Sequence, residues 1–162
     1  MKIKELMDRD LTALHPENTV AEAIETLLRH RMTGLPVLDD DSRVLGFVSE
    51  EDIIKSALPH YVSSLPSSAF LPDYGQFSDR LARIAEKAVT EIMHRQCVCY
   101  NVDDSDFAVA SSMIHHHIKV APVVNADGVM EGSVSRAYLI RRMMRGALRA
   151  PAGDDEFDAR ED

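Results

Sequence analysis

Tryptophan is absent from the 162-residue chain, and only four tyrosines and five phenylalanines are present. That leaves little aromatic surface for stacking single-stranded bases. Two cysteines, Cys97 and Cys99, are too few for a disulfide framework. No apolar run approaches the roughly 20 residues that cross a bilayer. The start, Lys2-Ile3-Lys4, does not read as a cleavable signal, so a cytoplasmic setting is expected. Basic charge is scarce too: 18 Lys and Arg stand against 27 Asp and Glu, a net charge of -9 that argues against general adhesion to nucleic acid or anionic membrane. Six acids and one base in residues 150–162 account for -5 of it. That acidic tail reads as a disordered end.

What the chain does have is 45% hydrophobic residues, enough for a core, and an internal repeat. Residues 3–54 align without a gap on residues 89–140, at a constant offset of 86. Glu5, Met7, Arg9, Pro36, Val37, Gly46, Val48, Ser49 and Ile54 recur identically as Glu91, Met93, Arg95, Pro122, Val123, Gly132, Val134, Ser135 and Ile140. Apolar character is kept at further pairs such as Leu27/Met113, Leu28/Ile114 and Met32/Ile118.

Periodicity gives the elements of each copy. Thr19 with Glu22 forms a capping-box signature before Val20, Ala23, Ile24, Leu27 and Leu28 at helical spacing. Leu35–Leu38 and Val44–Val48 read as strands joined by the polar turn Asp39–Ser42. Ser49 caps a helix over 50–58 that Pro59 stops. With a strand around Leu11–Leu14, each copy is a β-α-β-β-α unit entered by a short helix near Glu5–Met7. The connector 59–88 begins irregularly, and then Asp73 and Gln76 predict a helix carrying Phe77, Leu81, Ile84, Ala85 and Ala88 on one face. The expected organisation is repeat 1 over 1–58, connector 59–88, repeat 2 over 89–149 and tail 150–162.

Leu6-Met7, Gly34-Leu35-Pro36-Val37, Gly46-Phe47-Val48-Ser49 and Asp52 recur as Ile92-Met93, Val120-Ala121-Pro122-Val123 and Gly132-Ser133-Val134-Ser135. This pattern resembles a tandem pair of CBS domains, the cystathionine-β-synthase-type repeat of a Bateman module. The resemblance implies an α+β fold in which two β-α-β-β-α repeats pack about a pseudo-twofold axis, two clefts for adenosine-containing ligands, and a homodimer. It further implies a main cleft joining Ser49 and Asp52 to Val98, Lys119, Val120, Ala121 and Pro122. A second cleft would join Ser135, Arg136 and Tyr138 to Thr33, Gly34, Leu35 and the strand near Leu11 and Thr12. A carboxylate such as Asp52 can accept both hydroxyls of a ribose, and Lys119 can face phosphate as a point charge. Without a ligand, Ser49 and Asp52 also read as a plain helix cap. Tyr138 stands where the second cleft should carry an acid, so the sites are expected to be unequal, with ribose binding weaker beside Tyr138.

Other constellations carry less. His115-His116-His117 are about 100° apart on a helix and do not converge on one ion. Cys97 and Cys99, aligned with Leu11 and Ala13, read as apolar strand positions, and Met7, Met93, Met113, Met143 and Met144 as core packing. The final helix, about 136–149, carries Arg136, Arg141, Arg142, Arg145 and Arg149 with no acid, a solvated face by default. Neither a Walker loop, a nucleophile elbow nor an HExxH motif occurs, so no enzyme activity is expected. The reading is a regulatory module binding AMP, ADP or ATP, with S-adenosylmethionine or NADH as other adenosyl candidates, and acting on a separate effector protein. No metal, membrane or nucleic acid is expected as a partner. The alternatives are a dimeric scaffold whose basic helix or connector binds protein or nucleic acid, and a metal-responsive protein using the histidines and cysteines.

Overall fold

The computed structural model describes residues 1–65 and 75–147. The acidic tail and Asp73 lie outside the described residues. In repeat 1, α1 (Ile3–Leu6) leads to α2 (Val20–His30), β1 (Gly34–Leu38), β2 (Val44–Ser49) and α3 (Glu50–Ala57). The connector contributes α4 (Gln76–Ala85). Repeat 2 contributes β3 (Tyr100–Asn101), α5 (Asp106–His115), β4 (Val120–Val124), β5 (Met130–Ser135) and α6 (Arg136–Ala147). It is an α+β molecule with two small sheets, β1-β2 antiparallel and β3-β4-β5 with β3 parallel to β4.

Local chemistry explains most element boundaries. The expected capping box at Thr19 and Glu22 is present, as is one at Ser49 and Asp52. The two hairpins share their turn chemistry: Asp39 Oδ1 accepts from the N–H of Asp41 and Arg43, and its repeat mate Asn125 does the same for Asp127 and Val129. Both sheets shift register at the same place, between Val37 and Leu38 and between Val123 and Val124.

Several expectations need correction. The strand around Leu11–Leu14 is reduced to one parallel bridge, Leu14 to Val37; repeat 2 keeps only Tyr100 and Asn101 there. Thr12 N–H and Oγ1 donate instead to Asp10 Oδ1 at 2.9 and 2.7 Å, a local turn that competes with strand pairing. Cys97 and Cys99 are half-buried in irregular chain just before β3, not on a strand. The connector helix starts after Gly75, which is left-handed (φ 82°) and offers no side-chain cap. Ala88 lies beyond that helix, bridging to Thr19. Met7 and Met113 are core residues and Met93 packs on a core, whereas Met143 and Met144 are exposed on α6.

The packing units are not the sequence copies. Ile3, Leu6 and Met7, at the head of copy 1, are buried in the core of repeat 2 with Val109, Met113, Val123 and Val134. Reciprocally Val89 is buried in the core of repeat 1 with Val20, Leu35, Val37 and Val48, and Ile92 and Met93 pack against it. Each lead-in segment is fastened by an antiparallel bridge, Asp8 to Ser133 and His94 to Phe47. These two bridges are related by the 86-residue offset. A third bridge joins Arg43 to Val129, which are themselves repeat mates. A residue paired with its own mate lies on the axis relating the copies, so the bridges trace the pseudo-twofold directly.

The lead-in segments come close only because of two glycines. A Cβ on Gly132 would lie 2.2 Å from the Asp8 carbonyl oxygen, and one on Gly46 would lie 2.7 Å from the His94 carbonyl oxygen. Overpacking against backbone typically costs about 1–3 kcal/mol. Gly132→Ala is therefore expected to lower the unfolding free energy by about 2 kcal/mol or more in urea titration. An unchanged midpoint would contradict the exchanged packing.

Candidate functional site

The crossing of the lead-in segments leaves two clefts between the repeats. The first, of about 360 Å³, lies between the start of α3 and the segments 94–98 and 116–120. Ser49, Val98, Lys119 and Val120 line it, together with Thr33, Phe47, Glu50, Glu51, His94, Gln96, Cys97, His116, His117 and Ile118. The second, of about 390 Å³, lies at the start of α6: Ser135, Arg136, Tyr138 and Thr33 line it with Asp8, Asp10, His30, Arg31, Met32, Lys119, Val120, Ser133 and Ala137. Both volumes fall in the range of small-ligand sites, roughly 300–1,000 Å³. Thr33 and Lys119, repeat mates, line both clefts and stand between them.

The structure does not bring every expected residue to a cleft wall. Ala121, Pro122, Gly34 and Leu35 are buried beneath the walls. Thr12 is turned to Asp10, and Leu11 is exposed outside the second cleft. Asp52 is buried, with only 4% of its side chain accessible. Its Oδ2 accepts from Ser49 N–H and Ser49 Oγ, both at 2.8 Å, while its own N–H donates to Ser49 Oγ at 3.3 Å. Its Oδ1 is paired with Nε2 of His94, whose side chain is 66% exposed. The cap reading is thus realised, whereas the carboxylate lies behind the cleft wall, with His94 placed between it and the opening.

At the second cleft the same position holds Tyr138, whose N–H donates to Ser135 Oγ at 3.1 Å. The serine cap survives without a carboxylate. Arg136 does not present a free guanidinium: its Nε donates to Ile118 O at 2.6 Å and its Nη2 to Met113 O at 3.3 Å, closing the C-terminal end of α5. Arg142 donates to Glu5 O, and Arg141 stacks over Tyr138. Three arginines of the basic helix are therefore held by the fold.

Electrostatics differ between the clefts. The first gathers His94, His116, His117 and Lys119 against Glu50 and Glu51. The Glu51 carboxyl is held below its ordinary range, first by its hydrogen bond from Lys55 and by that charge, with His94 and Lys119 adding smaller contributions. The second sets His30, Arg31, Arg136 and Lys119 against Asp8 and Asp10, with Asp10 lowered chiefly by the hydrogen bond from the Thr12 side chain. Hydrogen bonding between the two thiols raises Cys97 and lowers Cys99. No group of three or more His, Cys, Asp or Glu among the described residues is arranged to hold a metal ion. No helix among them is long and apolar enough to cross a membrane.

Sequence reasoning missed His94 and its mate Asp8. They flank the identical pairs Met7/Met93 and Arg9/Arg95 but differ from each other, so a search for identities passes over them. The signal available was position: residues just after a fixed anchor must follow the anchor to the other repeat.

The CBS domain model matches residues 3–58 and 89–145, and the chain belongs to that family. It is 26% identical over 155 residues to an uncharacterized protein, MJ1426, of Methanocaldococcus jannaschii, covering 89% of this chain and 92% of that one. It spans 60% of the chloroplastic CBS domain-containing protein CBSX1 of Arabidopsis thaliana, also at 26% identity. Among solved structures it resembles CBSX2 in complex with AMP (TM-score 0.69, 22% identity, covering 90% and 98% of the two chains). It also resembles the CBS domain pair of protein MJ0100 in complex with 5′-methylthioadenosine and S-adenosyl-L-methionine (TM-score 0.65, 20% identity, covering 91% and 98%).

The buried cap at Asp52 makes a stability prediction of its own. Asp52→Ala removes two acceptor contacts within the cap and the contact with His94, and is expected to cost about 1–2 kcal/mol in urea unfolding. Tyr138→Ala leaves the Ser135 cap in place, because there the backbone N–H is the donor. Equal losses at the two positions would contradict the capping account.

Proposed function

We propose that this CBS-domain chain is a non-enzymatic regulatory sensor that binds an adenine nucleotide or another adenosyl compound in the first cleft. The observation that carries this reading is the meeting, across the repeat boundary, of the Ser49–Asp52 helix start with Lys119, Val120 and Val98. Ser49 sits at a helix N-terminus, where backbone N–H groups favour an anion. The Asp52 carboxylate beneath it is the natural acceptor for a ribose diol. Val98 and Val120 supply apolar walls for a purine, and Lys119 a cation with no ion pair among the described residues. The AMP complex of CBSX2 and the adenosyl complexes of MJ0100 support the ligand class. The second cleft, with Tyr138 in place of the acid and Arg136 tied to carbonyls, is the weaker site for a ribose.

A ligand that touches both repeats favours the arrangement in which both walls are in reach, and through that difference alone it can change contacts with an effector protein. In thermal unfolding, AMP at 100 times its dissociation constant is expected to stabilise the protein by about 2.7 kcal/mol, or roughly 5–10 °C. ADP, ATP, S-adenosylmethionine and NADH complete the panel. A transition that none of them moves at millimolar concentration would end this reading.

The proposal includes a homodimer. Exposed apolar residues recur in repeat-related pairs on the helices, Leu28 with Ile114 and Ile54 with Ile140, joined by Phe107 at 83% exposure. Exposed apolar side chains of this kind call for a cover, and a second copy brings matching ones. Sedimentation is expected to show a dimer at micromolar concentration and a monomer for Ile114→Glu combined with Ile140→Glu. A monomeric parent protein would remove the dimer from the account.

A further inference from the structure

We propose that His94 is a built-in competitor for the ligand: it holds the Asp52 oxygen that a ribose diol needs, and thereby sets the affinity and selectivity of the first cleft. The inference rests on the adenosyl-ligand reading of that cleft. Asp52 has two carboxylate oxygens, and the structure assigns both. Oδ2 is committed to Ser49 within the cap, which fixes the carboxylate's orientation. Oδ1 alone remains for a partner from outside the helix, and His94 Nε2 occupies it. The carboxylate does not line the cleft, whereas the imidazole does. A diol entering from the cleft therefore meets the imidazole first.

The geometry makes this an exchangeable contact. The His94 backbone is fixed on both sides, its N–H donating to Phe47 O and its carbonyl accepting from Phe47 N–H, each at 2.9 Å. Only the side chain has to move. It is largely exposed, and rotamer changes of exposed side chains take picoseconds to nanoseconds. The released ring stays near Glu50 and Glu51, with Lys119, His116, His117 and Cys97 completing the charged and titratable surroundings of the cleft. Repeat symmetry supplies the contrast: at the second cleft Asp8 replaces His94 and Tyr138 replaces Asp52, so neither the imidazole nor the carboxylate of the helix start is present, and the carboxylates there are Asp8 and Asp10.

The consequence is selective. A compound that engages Asp52 must displace the imidazole, whereas one that lacks the diol need not. A hydrogen bond such as that from His94 to Asp52 contributes about 1 kcal/mol net, so its removal is worth about fivefold in a binding constant. Titrations with AMP and with 2′,3′-dideoxy-AMP on the parent protein and on His94→Ala are the test. His94→Ala is expected to tighten AMP about threefold or more and to leave the dideoxy compound unchanged. Weaker AMP binding, or equal changes for both compounds, would overturn the competitor role. A ligand-independent arm uses long-range proton–nitrogen NMR of the imidazole, where Asp52→Asn keeps the cap acceptor and is expected to shift the His94 ring nitrogens. If AMP binds but those nitrogens do not respond, only the His94 role falls. If the ring responds but no protein binds AMP, the adenosyl reading falls and takes the competition with it.

Discussion

The exchange of lead-in segments is the constraint on which the rest of the molecule depends. Two copies of a small α-β-β-α unit each leave one end of their core uncovered, and each is closed by residues from the start of the other: Ile3, Leu6 and Met7 in one direction, Val89, Ile92 and Met93 in the other. Burial of these side chains couples the copies through apolar contact, and the two bridges at Phe47 and Ser133 set the register. Neither unit can then unfold or shift without withdrawing a piece of its partner's core. The clefts are a by-product of that crossing, since each lies where a lead-in segment passes the start of the opposite helix.

Pseudo-symmetry places equivalent side chains at equivalent points, and the functional character comes from where the copies differ. Gly34 and Phe47 face each other in repeat 1, where a Cβ on the glycine would lie 2.3 Å from the aromatic ring; their mates are Val120 and Ser133, with the bulk on the other partner. The exchange of large for small keeps the strand pairing while reshaping the cleft wall. Asp52 with His94 against Tyr138 with Asp8 is a second such difference, and it alters the chemistry rather than the shape. Lys119 and Thr33 are a third. As mates lining both clefts, they place one cation, not two, between the sites.

Much of this was legible in the sequence because the determinants are local or repeated. The capping boxes at Thr19 and Ser49, the hairpins around Asp39 and Asn125, and the repeat itself follow from short-range patterns. The first strand of copy 1 was not, since Asp10 draws Thr12 into a turn whose strength periodicity does not reveal. The cysteines followed that error: assigned by alignment to a strand, they lie in irregular chain, and Cys97 reaches the cleft. The start of α4 at Gln76 behind Gly75 replaces the expected cap. For the site, Ser49, Val98, Lys119, Val120, Thr33, Ser135, Arg136 and Tyr138 line the clefts, whereas Asp52, Ala121, Pro122, Gly34 and Leu35 lie behind the walls. His94 was passed over because it differs from its repeat mate Asp8, although its position beside Met93 carries it to the cap of repeat 1.

The most direct test of the central claim is a crystal structure of the protein grown with AMP. The account predicts adenine between Val98 and Val120, the ribose diol on Asp52 with His94 turned aside, and phosphate toward the start of α3 and Lys119. Nucleotide seated only beside Tyr138, with Asp52 still paired to His94, would contradict it.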